Sequence, residues 1–216
     1  MRTIRALTAA LAFVAAVPAV GTAQLGSSFT NSWFWGVKAG AMDYNKLTQS
    51  HQQAPLIGGD WLITRTRGGL YVSFSQAMFT DLALVQLDPA DTNSRKTIDL
   101  KDMRRVDLAA MGFIGNSNYW HPYAGAGFSL KQIATANIQN MTTADGQTLA
   151  LVTALRTGAA PYFIAGAQLK LSLFSFFFQG TASPANKNMF LYNGKSFHLT
   201  YEAGLRYNVG SAIDKL

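Results

Sequence analysis

The sequence predicts an all-β fold, an eight-stranded antiparallel up-and-down transmembrane β-barrel. Three observations support this prediction: eight segments alternate with a period of two, their connections are alternately short and long, and charged residues lie opposite the apolar ones. A period of two is typical of an extended strand with two different faces. It is clearest in residues 197–209, FHLTYEAGLRYNV, where one parity is apolar throughout and the other carries a histidine, a glutamate and an arginine.

The eight predicted strands follow one another from residue 32 to residue 209. The first four cover residues 32–44, 55–64, 69–79 and 103–114. The fifth covers residues 120–134, the sixth starts near 160, the seventh starts near 174, and the eighth is 197–209. Residues 80–87 fit either a short helix or an extension of the third strand, and no helical period of comparable length competes with the strands.

The connections between the strands predict the topology. Short connections lie at residues 65–68 and 115–119 and between strands six and seven, whereas long ones lie at 45–54, 80–102, 136–159 and 183–195. Short turns at one end and long polar loops at the other are typical of membrane barrels. A Greek-key sandwich is not expected to alternate so regularly. Both ends of the barrel domain then lie at the short-turn end, which we expect to face the periplasm.

Residues 1–23 predict a secretory signal peptide. Arg2 and Arg5 precede an apolar run over residues 6–17, and small residues follow up to Ala23, the expected cleavage site. An anchoring helix is the alternative, but the run is short for a membrane span. We therefore expect export, with residues 24–216 forming one outer-membrane β-barrel domain.

The composition narrows the possible partners and sites. The chain of 216 residues has no cysteine, which excludes disulfides and cysteine metal sites. Only 13% of residues are charged, about half the usual share, as expected for a protein with a large apolar surface. The formal net charge of +7 comes from scattered basic residues, so nucleic acid is not an expected partner.

The strand faces predict which side of the sheet meets lipid. In a soluble, lipocalin-like barrel the apolar face would line the interior, and the charged face would meet water. In a membrane barrel the apolar face meets lipid and the charged face fills the lumen. Eight charged residues on the polar parity, five cationic and three anionic, are expected to form an ion-pair network across the lumen: Lys38, Asp60, Arg105, Asp107, Lys131, Lys170, Glu202 and Arg206.

Aromatic residues on the apolar parity predict a girdle at the membrane interface. Tryptophan and tyrosine favour this interface because a ring and a polar group are both accommodated there. All four tryptophans lie near the expected periplasmic ends of their strands, and the predicted girdle comprises Trp33, Trp35, Trp61, Trp120 and Tyr207. Packing in a core is the alternative interpretation.

Two segments carry a family resemblance. PYAGAGFSL (122–130) and YEAGLRYNVG (201–210) resemble strands of the small eight-stranded outer-membrane barrels of Gram-negative bacteria, a porin-like group that includes OmpA-, OmpX- and OmpW-like proteins. EAGLRYNV also resembles the barrel-assembly signal, although that signal normally ends the chain and residues 210–216 follow here. The resemblance implies a monomer whose partners are outer-membrane lipids, including lipopolysaccharide, and the barrel-assembly machinery.

The strongest candidate for a catalytic site is His198-Leu-Thr200 with Glu202 on the same face. Some small outer-membrane barrels are lipid A deacylases with a His-x-Ser motif and a distant glutamate, but here threonine replaces serine and the glutamate is close. We interpret these side chains as lumen fillers and expect no catalytic residue and no cofactor. His51, in the first long connection, and His121 are on separate segments from His198, so no metal site is expected.

Three functional classes follow from these observations. The barrel is a scaffold or interaction protein that works through its extracellular loops, a narrow channel for small hydrophobic solutes, or a lipid A-modifying enzyme. Eight strands enclose just enough room for side chains. Because the lumen parity is charged and bulky, a wide pore is not expected and the scaffold class is favoured. The sequence predicts no specific ligand for the loops.

Overall fold

Eight antiparallel strands close into a barrel in sequence order, with the last strand paired to the first. The computed structural model describes residues 29–45, 51–86, 95–115, 117–139, 146–185, 189–191 and 196–210. The elements are β1 (Trp33–Asn45), β2 (His51–Thr64), β3 (Gly68–Gln86), β4 (Arg95–Phe113), β5 (Trp120–Ile138), α1 (Gly146–Leu155), β6 (Thr157–Leu171), β7 (Phe174–Pro184) and β8 (Phe197–Gly210). The predicted fold class is confirmed. The predicted signal peptide and the tail after residue 210 lie outside the described residues.

The strands at the long-loop end are longer than predicted. β3 continues to Gln86 and β4 starts at Arg95, so most of the predicted connection 80–102 is strand, and residues 80–86 are a strand extension. The extension continues because its side chains still alternate: Phe79, Ala83 and Val85 are buried while their neighbours are exposed. Likewise β2 starts at His51, which the sequence placed in a loop.

A β-bulge lets the extended strands β3 and β4 stay paired up to their ends. The register of β3 and β4 shifts between Ala77 and Thr80, opposite Asp102, which has a φ of 53°. The Asp102 carboxylate accepts a hydrogen bond from the backbone N–H of Phe79 at 3.3 Å. Aspartate tolerates the left-handed conformation better than most residues do, and bulges commonly place one residue there. The bulge lets apolar side chains of both extensions continue to point inward.

Helix α1 lies in the segment 136–159 that the sequence predicts to be a polar loop. Its sequence GQTLALVTAL contains no charged residue, and its apolar residues do not follow one face. Hydrophobic periodicity, the main sequence signal of a helix, is therefore missing. Val152 is buried against side chains inside the barrel, so tertiary contacts hold the helix. Among the described residues, no helix is long and apolar enough to cross a bilayer.

The outer surface of the barrel is apolar. Many large apolar side chains on the outward parity are exposed, including Phe128 (67%), Phe178 (61%) and Phe176 (54%). In water this surface would be far larger than the apolar patches that soluble monomers carry. Its exposure is physically reasonable when lipid covers it.

The interior of the barrel consists of three layers. Along β1 the inward side chains are Phe34, Lys38 and Met42, and each belongs to a different layer. The short-turn layer is a cluster of aromatic and apolar residues: Phe29, Phe34, Leu62, Tyr71, Ala109, Met111, Tyr123, Tyr162 and Ile164. The charged layer above it contains Lys38, Asp60, Arg105, Asp107, Glu202 and Arg206. The long-loop layer is apolar again and includes Met42, Leu56, Ile98, Leu100, Ile133 and Val152.

Strand length indicates how far the barrel extends beyond a bilayer. A strand tilted by about 40° rises roughly 2.5 Å per residue, so an apolar band of about 25 Å takes about ten residues. β3, β4 and β5 each have 19 residues. Their upper halves, at the long-loop end, therefore project beyond such a band.

The effect of an outward arginine should depend on its height along the barrel. Phe178→Arg, in the middle of the apolar band, is expected to lower the free energy of unfolding in lipid vesicles by about 2–4 kcal/mol. Leu84→Arg is the matched control because Leu84 is also outward and 49% exposed but lies near the far end of β3. Unfolding by guanidinium in vesicles measures both. Equal losses for the two variants would contradict the assignment of the outer face to lipid.

Candidate functional site

The Glu202 carboxylate is the centre of the charged layer. One oxygen, Oε2, accepts hydrogen bonds from Lys38 Nζ and from Gln179 Nε2, both at 2.7 Å. The other, Oε1, lies 2.5 Å from Arg105 Nη2 and accepts a hydrogen bond from the Thr200 hydroxyl at 3.2 Å. Since these donors come from β1, β4, β7 and β8, one carboxylate links half of the strands.

Each cation beside Glu202 has further partners. The Lys38 ammonium also donates to the Tyr71 hydroxyl and to Ser73 Oγ, both at 3.1 Å, so its three protons are all used. The Ser73 hydroxyl in turn donates to Asp107 Oδ2 at 2.9 Å. Asp107 forms an ion pair with Arg105 at 2.9 Å. A continuous chain of polar contacts therefore crosses the barrel from β1 to β4.

A separate ion pair, between Arg206 and Asp60, lies on the opposite side of Gln179. Arg206 donates to Asp60 through Nε at 3.0 Å and Nη2 at 2.9 Å, a bidentate arrangement. Its Nη1 donates to Gln168 Oε1 at 2.7 Å, and its guanidinium carbon lies 3.8 Å from the centre of the Phe177 ring. With its side chain fully buried, Arg206 has its charge matched by Asp60 and its planar face covered by an aromatic ring.

The Gln179 amide joins the two parts of the charged layer. Its nitrogen donates to Tyr71 at 2.9 Å and to Glu202, while its oxygen accepts from the Tyr123 hydroxyl at 2.8 Å. The same oxygen lies 3.4 Å from Arg206 Nη2. The amide thus presents its donor to the anion Glu202 and its acceptor to the cation Arg206.

Glycine on β1 makes room for the Arg206–Asp60 pair. Gly36 is paired with Asp60 on β2 and with Arg206 on β8. A Cβ atom on Gly36 would lie 2.8 Å from Cγ of Arg206, closer than carbon atoms can approach. The absent side chain lets the two charged groups meet across β1.

The structure brings together six of the eight predicted lumen charges. Lys38, Arg105 and Arg206 balance Asp60, Asp107 and Glu202, so the charged layer is formally neutral. The other two, Lys131 and Lys170, form no ion pair with its acids, although Lys131 is paired with Arg105 in the sheet. Lys131 donates to the Ser183 hydroxyl at 2.9 Å near the long-loop layer, and Lys170 lies at the short-turn mouth. Both are buried.

Four of the predicted girdle residues form one aromatic patch around β1. Trp61 contacts Trp33 at 5.3 Å and Trp35 at 5.6 Å between ring centres, and Trp35 is paired with Tyr207 on β8. Trp120, 52% exposed, begins β5 on another part of the wall. All five residues lie within a few positions of the short-turn ends of their strands. The five residues therefore lie at similar heights along the barrel axis, but they are unevenly spaced around the barrel.

The residues around His198 lie inside the barrel. The Thr200 hydroxyl contacts Thr181 at 2.5 Å and donates to Glu202, which is itself held by two cations. His51, at the start of β2, pairs with Asp43 at 2.8 Å rather than standing alone in a loop. Within the described residues, no three histidine, aspartate or glutamate side chains lie close enough together to hold a metal ion.

The prediction of the site omitted its neutral members. Tyr71, Gln168 and Gln179 form hydrogen bonds with the charged groups, and Tyr123 donates a hydrogen bond to Gln179. Their position on the inward parity was available from the sequence as a signal. Their role as hydrogen-bond partners could not be predicted from the sequence, because a tyrosine on that parity also fits the apolar short-turn layer, to which Tyr71 and Tyr123 belong.

Removing the central carboxylate charge should destabilise the barrel strongly. Glu202→Gln leaves Lys38 and Arg105 facing each other without their shared anion, and breaking such a buried pair typically costs about 3–5 kcal/mol. We expect a loss of this size in the free energy of unfolding, measured by guanidinium titration in micelles. Ser129→Ala is the control, since Ser129 is fully buried and its hydroxyl has no hydrogen-bond partner among the described residues. A loss as small as that of the control would show that the ion pairs contribute little.

Comparison with solved structures gives matches to small membrane barrels. Neisserial surface protein A matches with a TM-score of 0.54 and 10% identity over 81% of this chain and 96% of that one. The N-terminal β-barrel domain of OprF from Pseudomonas aeruginosa (TM-score 0.47, 13% identity, 83% and 98% covered) and the outer membrane protein OprG from the same organism (0.46, 12%, 86% and 99%) also match. No family model and no curated protein matches the chain. Together with the closed eight-stranded topology, the likeness establishes that this chain has the fold of the small outer-membrane β-barrels.

Proposed function

We propose that the protein is an integral outer-membrane barrel that serves as an envelope scaffold or interaction protein through its long-loop end. The apolar outer surface and the short-turn aromatic residues support membrane insertion, since both are features of lipid-embedded barrels. The fold shared with small outer-membrane barrels supports the outer membrane as the location. The predicted signal peptide is consistent with export to the outer membrane.

The observation that carries this proposal is the filled interior. Ion pairs, aromatic rings and apolar side chains occupy successive layers from one end of the barrel to the other. An ion entering the charged layer would have to replace contacts of 2.5–3.0 Å between buried groups. Breaking such pairs without replacing them is expensive. The barrel is therefore closed in this conformation, which favours a scaffold over a channel.

The long-loop end offers the surface for partners. β3, β4 and β5 extend above the other strands, and α1 packs Val152 into the interior beside them. Outward residues on these extensions are both apolar and charged, with Leu82 and Leu84 exposed on β3 and Lys101 and Arg104 exposed on β4. Such a mixture is typical of surfaces that bind other macromolecules. The connections at this end would bind a partner while the rigid barrel holds them in place.

An acyl-hydrolase activity is disfavoured by the same interior contacts. A nucleophilic hydroxyl needs a neighbouring base and access to the substrate. Thr200 is 1% exposed, and its hydroxyl is engaged with Thr181 and Glu202. A lipid acyl chain outside the barrel does not reach this group unless the wall opens. We therefore propose no catalytic role for His198, Thr200 or Glu202.

The proposed location has a direct test. The protein is expected to fractionate with outer membranes and to migrate differently on gels before and after heating, because folded barrels resist detergent at low temperature. Recovery as a soluble periplasmic protein would overturn the membrane proposal and favour a lipocalin-like role.

The proposed closed state has an electrical test. The purified barrel in planar bilayers is expected to show little steady conductance. The triple variant Asp60→Asn, Asp107→Asn, Glu202→Gln leaves five interior cations without an acid among the eight predicted lumen charges, and their repulsion and hydration should open an anion-selective leak.

The control for the triple variant is Asp43→Asn, which removes a carboxylate paired with His51 at the long-loop end. It is expected to stay closed. Heat-dependent gel migration shows which variants are folded before conductance is compared. Strong conductance by the unmodified barrel would make the channel the better proposal.

A further inference from the structure

A cavity of about 560 Å³ opens at the short-turn mouth of the barrel. Its walls come from the segment before β1, from the turns that follow β2, β4 and β6, and from the first residues of β5. A volume of this size is within the range of sites that hold small molecules. The cavity lies below the short-turn layer and is separate from the charged layer.

The segment before β1 is fastened across this mouth. The Thr64 hydroxyl donates to the carbonyl oxygen of Phe29 and accepts from the backbone N–H of Ser32 at 3.1 Å. The Phe29 ring then stacks on the His121 ring at 3.7 Å between centres, with only 8° between their planes. Phe113 contacts Phe29 edge-on at 4.8 Å. One wall of the cavity is therefore a preformed aromatic stack.

Residues 117–119 form a second wall, which hydrogen bonds also hold in place. The Ser117 hydroxyl accepts hydrogen bonds from the backbone N–H groups of Tyr119 at 3.2 Å and Trp120 at 3.1 Å. The backbone N–H of Lys170 donates to the carbonyl oxygen of Tyr119 at 2.7 Å. This contact joins the second wall to β6 and places Lys170 at the cavity.

The Lys170 ammonium and the His121 ring lie at the cavity without a counterion among the described residues. Lys170 is 7% exposed and His121 is 9% exposed, and both line the cavity. Among the described residues, His121 Nε2 has no hydrogen-bond partner, and no ion pair is formed by Lys170. The described residues that line the cavity include no aspartate or glutamate. A buried ammonium and an unpaired ring nitrogen that share a cavity are suited to an anion.

The surroundings reinforce this positive potential. Arg65 and Arg67 are exposed in the turn between β2 and β3, beside Thr66 of the cavity wall. The described residues of this mouth, 29–34, 62–70, 111–115, 117–123 and 169–175, contain no acidic residue. A concave site surrounded by charges of one sign concentrates ligands of the opposite sign.

We infer that this cavity binds a small solute that carries a carboxylate or phosphate group and a compact apolar body. The anionic group pairs with the Lys170 ammonium and accepts a hydrogen bond from His121 Nε2 in its protonated form. The apolar body lies against Phe29 and Phe113. The inference goes beyond the scaffold role and does not depend on it, because the mouth is formed whether or not the long-loop end binds a partner.

Binding can be measured on the full-length protein folded in detergent micelles. The probes are benzoate, which has a carboxylate on an aromatic ring, and inorganic phosphate, with benzyl alcohol as the neutral counterpart of benzoate. Chemical shifts of the His121 ring, followed by NMR, are expected to change saturably with both anions and not with benzyl alcohol. Calorimetry with benzoate gives an independent dissociation constant.

Two lysine variants separate binding from folding. Lys170→Met is expected to weaken benzoate binding about tenfold, the usual value of one charge-assisted hydrogen bond. Lys131→Met removes the other buried lysine outside the charged layer, far from this mouth, and should leave the dissociation constant unchanged. Equal affinities for the two variants would overturn the inference.

Three other results of the binding experiments would overturn all or part of the inference. If neither anion gives a saturable shift, the cavity is not an anion site. If only a short-chain anionic phospholipid binds, the mouth contacts lipid headgroups and the assignment to a small solute is wrong. If phosphate binds as tightly as benzoate, the charged groups act as proposed but the aromatic wall does not contribute to selectivity, and that part of the inference is overturned.

Discussion

The carboxylate of Glu202 accepts hydrogen bonds from side chains on four of the eight strands. The arrangement of the rest of the interior depends on these contacts. In a space that excludes water, a charge is tolerated only where partners neutralise it and satisfy its hydrogen-bonding groups. Lys38 and Arg105 do so for Glu202, and Asp107 forms a further ion pair with Arg105. The strands must close at the register that brings these groups together, since a slip by one residue would turn each of them toward lipid.

The Arg206–Asp60 pair shows how closely the backbone is adapted to the charged groups. These residues lie on β8 and β2 and meet across β1, where Gly36 provides the space. Phe177 covers the guanidinium face, and Gln179 connects this pair to Glu202. Small residues and neutral amides are therefore as necessary to the charged layer as the charges themselves. A barrel sealed in this way leaves its two ends as the places where partners and solutes can bind.

The two ends are built differently. At the long-loop end three strands extend, Val152 of α1 packs in an apolar layer, and the outside carries both apolar and charged side chains. At the short-turn end the segment before β1 crosses the mouth and leaves a cavity with cations at its wall. A scaffold role at one end and a small-solute site at the other are compatible, because the filled interior separates them.

Alternation, the lengths of the connections and the charges opposite the apolar face were together sufficient to predict an eight-stranded barrel, because side-chain direction in a strand depends only on residue parity and short turns connect antiparallel neighbours. It assigned Lys38, Glu202 and Arg206 to the face opposite the apolar one without any knowledge of their partners. The tertiary structure alone decided that Glu202 pairs with Lys38 and Arg105 while Lys131 and Lys170 stay outside the charged layer, since strand closure sets distances between residues far apart in sequence. It also decided that α1 is helical, because contacts inside the barrel hold a segment without helical periodicity, and that residues 80–86 are strand rather than helix, because they pair with β4.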